Sequence, residues 1–143
     1  MKRRAFTLLE IIIGIGILAI LGTIASPTFN VLIYKSKEGT TKGGLATIRG
    51  AISVYHSDND EYPTDDLTSL CKGGKYLVKL PVTRLPNTPH SASRHVYVSS
   101  GTADKVTDVG GWAYDNDPNS PEWGTVRVNC VHTNTVGETW SQL

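Results

Sequence analysis

Residues 6 to 25 read FTLLEIIIGIGILAILGTIA, twenty positions that are apolar or small except for Thr7, Glu10 and Thr23. At about 1.5 Å per residue such a run makes roughly 30 Å of helix, the thickness of a bilayer core. Lys2, Arg3 and Arg4 stand immediately before it. Their charge favours a cytoplasmic N-terminus and places everything after residue 26 on the far side of the membrane. The remaining sequence is rich in Gly, Thr, Ser, Asn and Asp, and a chain of 143 residues has room for one ordinary domain. The organisation expected is therefore a basic segment over 1–5, which the resemblance given below makes a leader, a transmembrane helix over 6–26, and over 27–143 the amphipathic half of a long helix with a globular head. Formal net charge is +1, but the leader holds three of the 14 basic residues. A chain cut after Ala5 keeps 11 basic against 13 acidic residues, a net charge of −2. Basicity belongs to the leader, and nothing in the composition calls for nucleic acid.

One reading of this N-terminus is a secretory signal peptide cut after Ala25, which releases a secreted binding domain. Glu10 weighs against it, because a carboxylate deep in a membrane costs about 2–3 kcal/mol and needs a reason to be there. The run Ala5-Phe6-Thr7-Leu8-Leu9-Glu10, following three basic residues, resembles the prepilin cleavage and methylation motif of type IV pilins and type II secretion pseudopilins. The resemblance implies that a prepilin peptidase and methyltransferase cuts between Ala5 and Phe6 and methylates the new amine of Phe6. Glycine is usual before the cut, so Ala5 is a departure that can slow processing. It further implies a homopolymeric filament, an inner-membrane assembly platform and the lipid bilayer as partners, with the head on the periplasmic or outer side. The family offers two machines, a type IV pilus and a type II secretion pseudopilus, and the motif is common to both.

Glu10 has a physical role on this reading. Cleavage leaves a positive amine at Phe6 in an apolar setting, and Glu10 of a neighbouring subunit can pair with it once helices gather in a filament. Desolvation offsets much of that attraction, but a missing partner leaves a charge alone in hydrocarbon, so the pair specifies register between subunits. The local alternative is that Glu10 simply complements the positive end of its own helix. Ile11, Ile15 and Leu18 would face other helices, with Gly14 and Gly16 allowing close approach; contact with lipid is the plainer use of the same stripe.

Pro27 should bend or interrupt the helix, and the resemblance makes it an assembly residue beside Glu10. Beyond it, Leu45, Ile48, Ile52 and Tyr55 follow helical spacing, which carries the helix into the high fifties. Three glycines between Gly39 and Gly44 predict curvature or fraying. The stretch 57–66, SDNDEYPTDD, reads as a solvated loop, with Thr64 as a cap for a short helix over 65–71 whose Leu67 and Leu70 face the long helix. Pro81, Pro86 and Pro89 predict irregular structure over 79–94. Strands are expected at 95–98, 111–114 and 125–130, the last alternating Val126, Val128 and Cys130 against polar residues. The fold class is α+β: a long N-terminal helix packed on a small antiparallel sheet of about three or four strands.

Cys71 and Cys130 fit neither a CxxC redox motif nor a four-ligand zinc pattern. With the head outside the cytoplasm a disulfide between them is favoured over two free thiols. His56, His90, His95 and His132 are scattered among small polar residues and read as loop histidines, and no nucleophile elbow, phosphate loop or HExxH is present, so assembly rather than catalysis is expected. The run from 110 to 129 resembles the C-terminal sheet of pilins near the major pseudopilins, where a calcium site can occur. Asp108, Asp115, Asn116 and Asp117 offer hard oxygens of the kind calcium takes, but without EF-hand spacing. No cofactor is assigned, and calcium at Asp108, Asp115 and Asp117 stands as the secondary expectation.

Overall fold

The computed structural model describes residues 6–99 and 106–143, without the side chains of 25–28. The chain divides into two units, residues 1–34 and 35–143. Helix α1 runs Leu8–Asn59 and enters both. In the first unit it carries the apolar run, whose helical part begins two residues later than the sequence suggests. Among the described residues no single helix is long and apolar enough to cross a membrane; Leu8–Ile24 meets the requirement only together with Phe29–Asn59. The helix assignment runs on through Pro27, but Leu8–Ile24 and Phe29–Asn59 are bent by 43° at the break that holds it, as expected of a proline there; the side chain of Pro27 lies outside those described.

In the second unit, α1 buries Glu38, Thr41, Leu45, Ile48, Ala51 and Ile52, a stripe at three- and four-residue spacing. Fraying does not follow from the glycines, for the helix assignment is unbroken from Gly39 to Gly44. Gly44 has instead a packing reason. A Cβ there would lie 2.9 Å from Cβ of Pro81 and 3.4 Å from the ring of Trp112. Only a hydrogen at this point of the helix lets the Trp112 indole lie against it, while the indole Nε1 donates to the Pro81 carbonyl at 2.9 Å.

Three short strands follow: β1 Val96–Val98, β2 Trp112–Tyr114 and β3 Val126–Val128, in the order β1-β2-β3. β2 pairs antiparallel with β3, setting Trp112 opposite Val128 and Tyr114 opposite Val126. β1 pairs with β2 in parallel, Val96 opposite Trp112 and Val98 opposite Tyr114. The sheet is therefore mixed, which corrects the all-antiparallel expectation. A parallel pair needs a connection of about a dozen residues, and the segment between Val98 and Trp112 is long enough to bring the chain back to the same end. All of β2 is buried, as befits a central strand, whereas β3 keeps the expected alternation, with Val126 and Val128 buried and Arg127 half-buried.

The core joins the α1 stripe to the sheet through Leu67, Leu70, Leu85, Trp112, Tyr114, Val126, Val128, Cys130 and Trp140. The short helix α2 is Thr68–Cys71, later and shorter than the sequence reading. Its N-cap position is Leu67, in a left-handed conformation, and the side chain that serves the first turn is Asp65 and not Thr64. The Asp65 carboxylate accepts from the backbone N–H groups of Leu67 at 3.0 Å and Ser69 at 2.8 Å and from the Thr68 hydroxyl at 2.9 Å. Asp has two acceptor oxygens to spread over the first turn where Thr has one. The Tyr114 hydroxyl reaches the Pro63 carbonyl at 2.7 Å, fastening the loop after α1 to the sheet.

Residues 130–143 are tied back onto α1 by polar contacts. The buried Glu38 carboxylate accepts from both the backbone N–H and the hydroxyl of Thr135, each at 2.7 Å. Lys42 pairs with Glu138 at 2.8 Å on the surface. Thr41 Oγ1 accepts from the Arg84 N–H and donates to the Arg84 carbonyl, both at 2.8 Å, which anchors the proline-rich connection to the same helix.

Candidate functional site

The N-terminal segment is organised by Thr7. Its hydroxyl accepts the Glu10 N–H at 3.3 Å, and its carbonyl accepts the Ile11 N–H at 3.3 Å. Thr7-Leu8-Leu9-Glu10 is thus the T-x-x-E pattern of a helix start, a signal present in the sequence and overlooked there in favour of Glu10 alone. Glu10 occupies the first turn of α1 and is exposed. The scissile bond after Ala5 lies outside the described residues, as does the side chain of Pro27.

Every large apolar side chain described from Phe6 to Ile33 is at least 40% exposed in the isolated chain, from Phe6 and Leu8 to Leu32 and Ile33. A soluble monomer rarely shows more than a few hundred Å² of contiguous apolar surface, so this segment requires lipid or other helices around it. Gly14 and Gly16 have nothing within 4 Å of where a Cβ would stand, which leaves both open to a neighbouring backbone.

A second constellation lies in the head. His90, Asp108, Cys130 and His132 bring one ligand-type atom each to within 4.8 Å of one another. His90 Nε2 is 3.1 Å and His132 Nδ1 3.3 Å from the same Asp108 oxygen, and Cys130 Sγ is 3.4 Å from His132 Nδ1. The Val131 N–H donates to that oxygen at 2.9 Å and is the chief reason the Asp108 carboxyl is held below its usual range, with His90 and His132 adding to it. Burial pushes the Cys130 thiol up to about 11.

This arrangement corrects three expectations. His90 and His132 are not merely scattered loop residues, since folding places them at one point. Cys71 and Cys130 are separate thiols, because Cys130 turns its sulfur toward His132 while Cys71 closes α2. The three aspartates considered for calcium are divided: Asp108 belongs to the His–Cys group, and among the described residues no group unites it with Asp115 and Asp117. Asp115 is buried and accepts from the Ser120 hydroxyl at 2.6 Å and the Asp117 N–H at 3.2 Å, roles that shape its own loop. The signal missed was long-range, for the four donors come from three separate stretches of sequence, His90, Asp108 and the pair Cys130 and His132, and match no motif.

A model of the prokaryotic N-terminal methylation motif matches residues 1–26, the stretch that holds Phe6 and Glu10. The type II secretion system core protein G of Dickeya chrysanthemi is 29% identical over 80% of this chain and 90% of its own length. That of Klebsiella pneumoniae is 29% identical over 78% of this chain and 95% of its own length. The chain belongs to the type IV pilin and type II secretion pseudopilin family. A fimbrial protein of Eikenella corrodens is 30% identical to this pilin-family subunit over 57% of this chain and 55% of its own length. No solved structure matches the subunit. Membership accounts for the exposed apolar helix: in a pilin-like subunit that surface is the part that polymerises.

Proposed function

We propose that the chain is a structural subunit of a type II secretion pseudopilus, anchored in the inner membrane before prepilin peptidase processing and assembly release it into the filament. The observation that carries the choice of machine is the reach of the likeness. The methylation motif is common to pili and pseudopili, but core protein G of Dickeya chrysanthemi and of Klebsiella pneumoniae is aligned over at least 90% of its own length, head included, whereas the fimbrial protein is aligned over 55% and core protein G of Pectobacterium carotovorum over 50%. The work of the chain on this reading is self-assembly, not catalysis. The bilayer and an inner-membrane platform are its partners, and Phe6, Glu10 and Pro27 are its assembly residues. Release after Ala25 would discard the helix that the family uses, and is set aside.

The N-terminal mass of the mature protein from its native membrane should correspond to N-methylated Phe6. A chain beginning near Ser26 would return the head to the class of secreted domains. Deleting the gene should then abolish release of folded proteins to the medium and leave surface pili intact; loss of pili with secretion unimpaired would assign the subunit to a type IV pilus. Glu10→Leu should still insert in the membrane but fail to form filaments, and filaments of normal length would refute the pairing of Glu10 with a neighbour's Phe6 amine.

A further inference from the structure

The cluster at His90, Asp108, Cys130 and His132 lies in the unit of residues 35–143, and the reading proposed above assigns it no role. We infer that these four side chains form a tetrahedral site for a thiophilic divalent transition metal of the zinc type.

Donor chemistry selects the metal class. Two imidazoles, one thiolate and one carboxylate are a zinc set, whereas calcium and magnesium require oxygen donors. Zinc bonds of about 2.0–2.3 Å set tetrahedral donor-to-donor edges of roughly 3.3–3.6 Å. The distances of 3.1, 3.3 and 3.4 Å among His90, Asp108, His132 and Cys130 already stand near that value, and all four ligand atoms lie within 4.8 Å of one another. Charge agrees too: a thiolate and a carboxylate balance a divalent cation, leaving a neutral site.

The surroundings are built to hold the donors. The fully buried Asn129 accepts the Thr107 N–H at 2.7 Å through Oδ1 and donates to the Thr107 hydroxyl at 2.9 Å through Nδ2. The Asn129 carbonyl accepts the Gly110 N–H at 2.9 Å. Asp108 is thereby bracketed on both sides, and it holds a left-handed backbone conformation at φ 55° that Asp tolerates better than most residues. The Val131 N–H donates to the same Asp108 oxygen that faces the two imidazoles and so fixes where the carboxylate points. Gly110, at φ +80°, leaves its Cβ position empty where His90 Cβ would be 3.0 Å away, so the His90 ring can lie close over this turn. A bound ion would staple the exit of β3 to the loops at 88–90 and 107–110, a use suited to a small head with two free thiols.

The test uses the full mature chain in detergent, stripped with chelator, kept reduced, and titrated with Co²⁺ and then Zn²⁺. Co²⁺ should give the intense visible bands of four-coordinate cobalt and a thiolate-to-metal charge-transfer band, both displaced by Zn²⁺, and Zn²⁺ should raise the thermal midpoint. Cys130→Ser should lose the charge-transfer band and Cys71→Ser keep it. His90→Ala should weaken Zn²⁺ binding by more than about tenfold, with His95→Ala unchanged. Because a variant can fail to fold, the unaltered chain supplies a second reading: Zn²⁺ should block alkylation of Cys130, and chelator should restore it. The inference is overturned if the reduced chain shows neither band nor a Zn²⁺-dependent shift. It is equally overturned if Ca²⁺ alone gives the shift, or if protein taken from its membrane without reductant carries a Cys71–Cys130 disulfide.

Discussion

Gly43 and Gly44 are neighbours on one helix, and alanine at each should have opposite effects. Both substitutions gain helix propensity, worth up to about 1 kcal/mol in a helix interior. At Gly43 nothing lies within 4 Å of the new methyl group, so Gly43→Ala should stabilise by nearly that amount. At Gly44 the methyl would stand 2.9 Å from Pro81 Cβ, an atom of a fixed ring, and 3.4 Å from the Trp112 indole. Trp112 cannot withdraw without losing its bond to the Pro81 carbonyl. Overpacking of a filled core costs about 1–3 kcal/mol, so Gly44→Ala should range from neutral to about 2 kcal/mol destabilising. The propensity gain is common to both variants and cancels in the comparison, leaving a gap of about 1–3 kcal/mol that measures the steric conflict alone. Urea unfolding of the mature chain in detergent, followed by tryptophan fluorescence, reads it directly. If both variants are stabilised equally, the close approach of Trp112 to α1 is not what excludes a side chain at Gly44.

Glu38→Ala removes both acceptors from Thr135 and should cost about 1.5–3 kcal/mol in the same assay, with Glu38→Gln losing less because one oxygen remains. Tyr114→Phe leaves the Pro63 carbonyl without its buried donor and should lower stability by about 1–2 kcal/mol without changing the slope of the urea transition. The Lys42 ammonium, aided by Asn134, holds the Glu138 carboxyl below its usual range. Its folded pKa is depressed, so its contribution is present above the unfolded value of about 4.3 and lost as pH falls through the folded one. Lys42→Gln should therefore flatten the decline of the thermal midpoint below about pH 4.3, and high salt should shrink the difference between the two proteins.

What could be read in the sequence is what local rules govern. The α1 stripe of Leu45, Ile48 and Ile52 announces itself by spacing, and β3 by alternation, because burial of one face imposes a period. Direction of pairing has no such signature: β1 could meet β2 either way, and only the path of the connection makes it parallel. Gly44 looked like a weakness because propensity is a property of one residue, whereas its value depends on Pro81 and Trp112, far along the chain. Thr64 and Asp65 are both good caps, and the choice between them depends on where Leu67 enters the core. His90 and Cys130 are separated by forty positions of sequence that encode no motif, so their meeting became visible only with the chain folded.

The bonds that fasten residues 126–138 to α1 also set the order in which this protein can become itself. Glu38 meets Thr135 across 97 positions, Lys42 meets Glu138 across 96, and Arg49 reaches the Val126 carbonyl across 77. Contacts so distant in sequence are slow to close, because the loop entropy is lost before any contact repays it. A chain that enters the membrane N-terminus first therefore has its helix placed well before its head is complete. During that interval the polar stripe at Glu38, Thr41 and Lys42 has no partners from residues 126–138, and the bilayer that holds the preceding segment gives the head time to close.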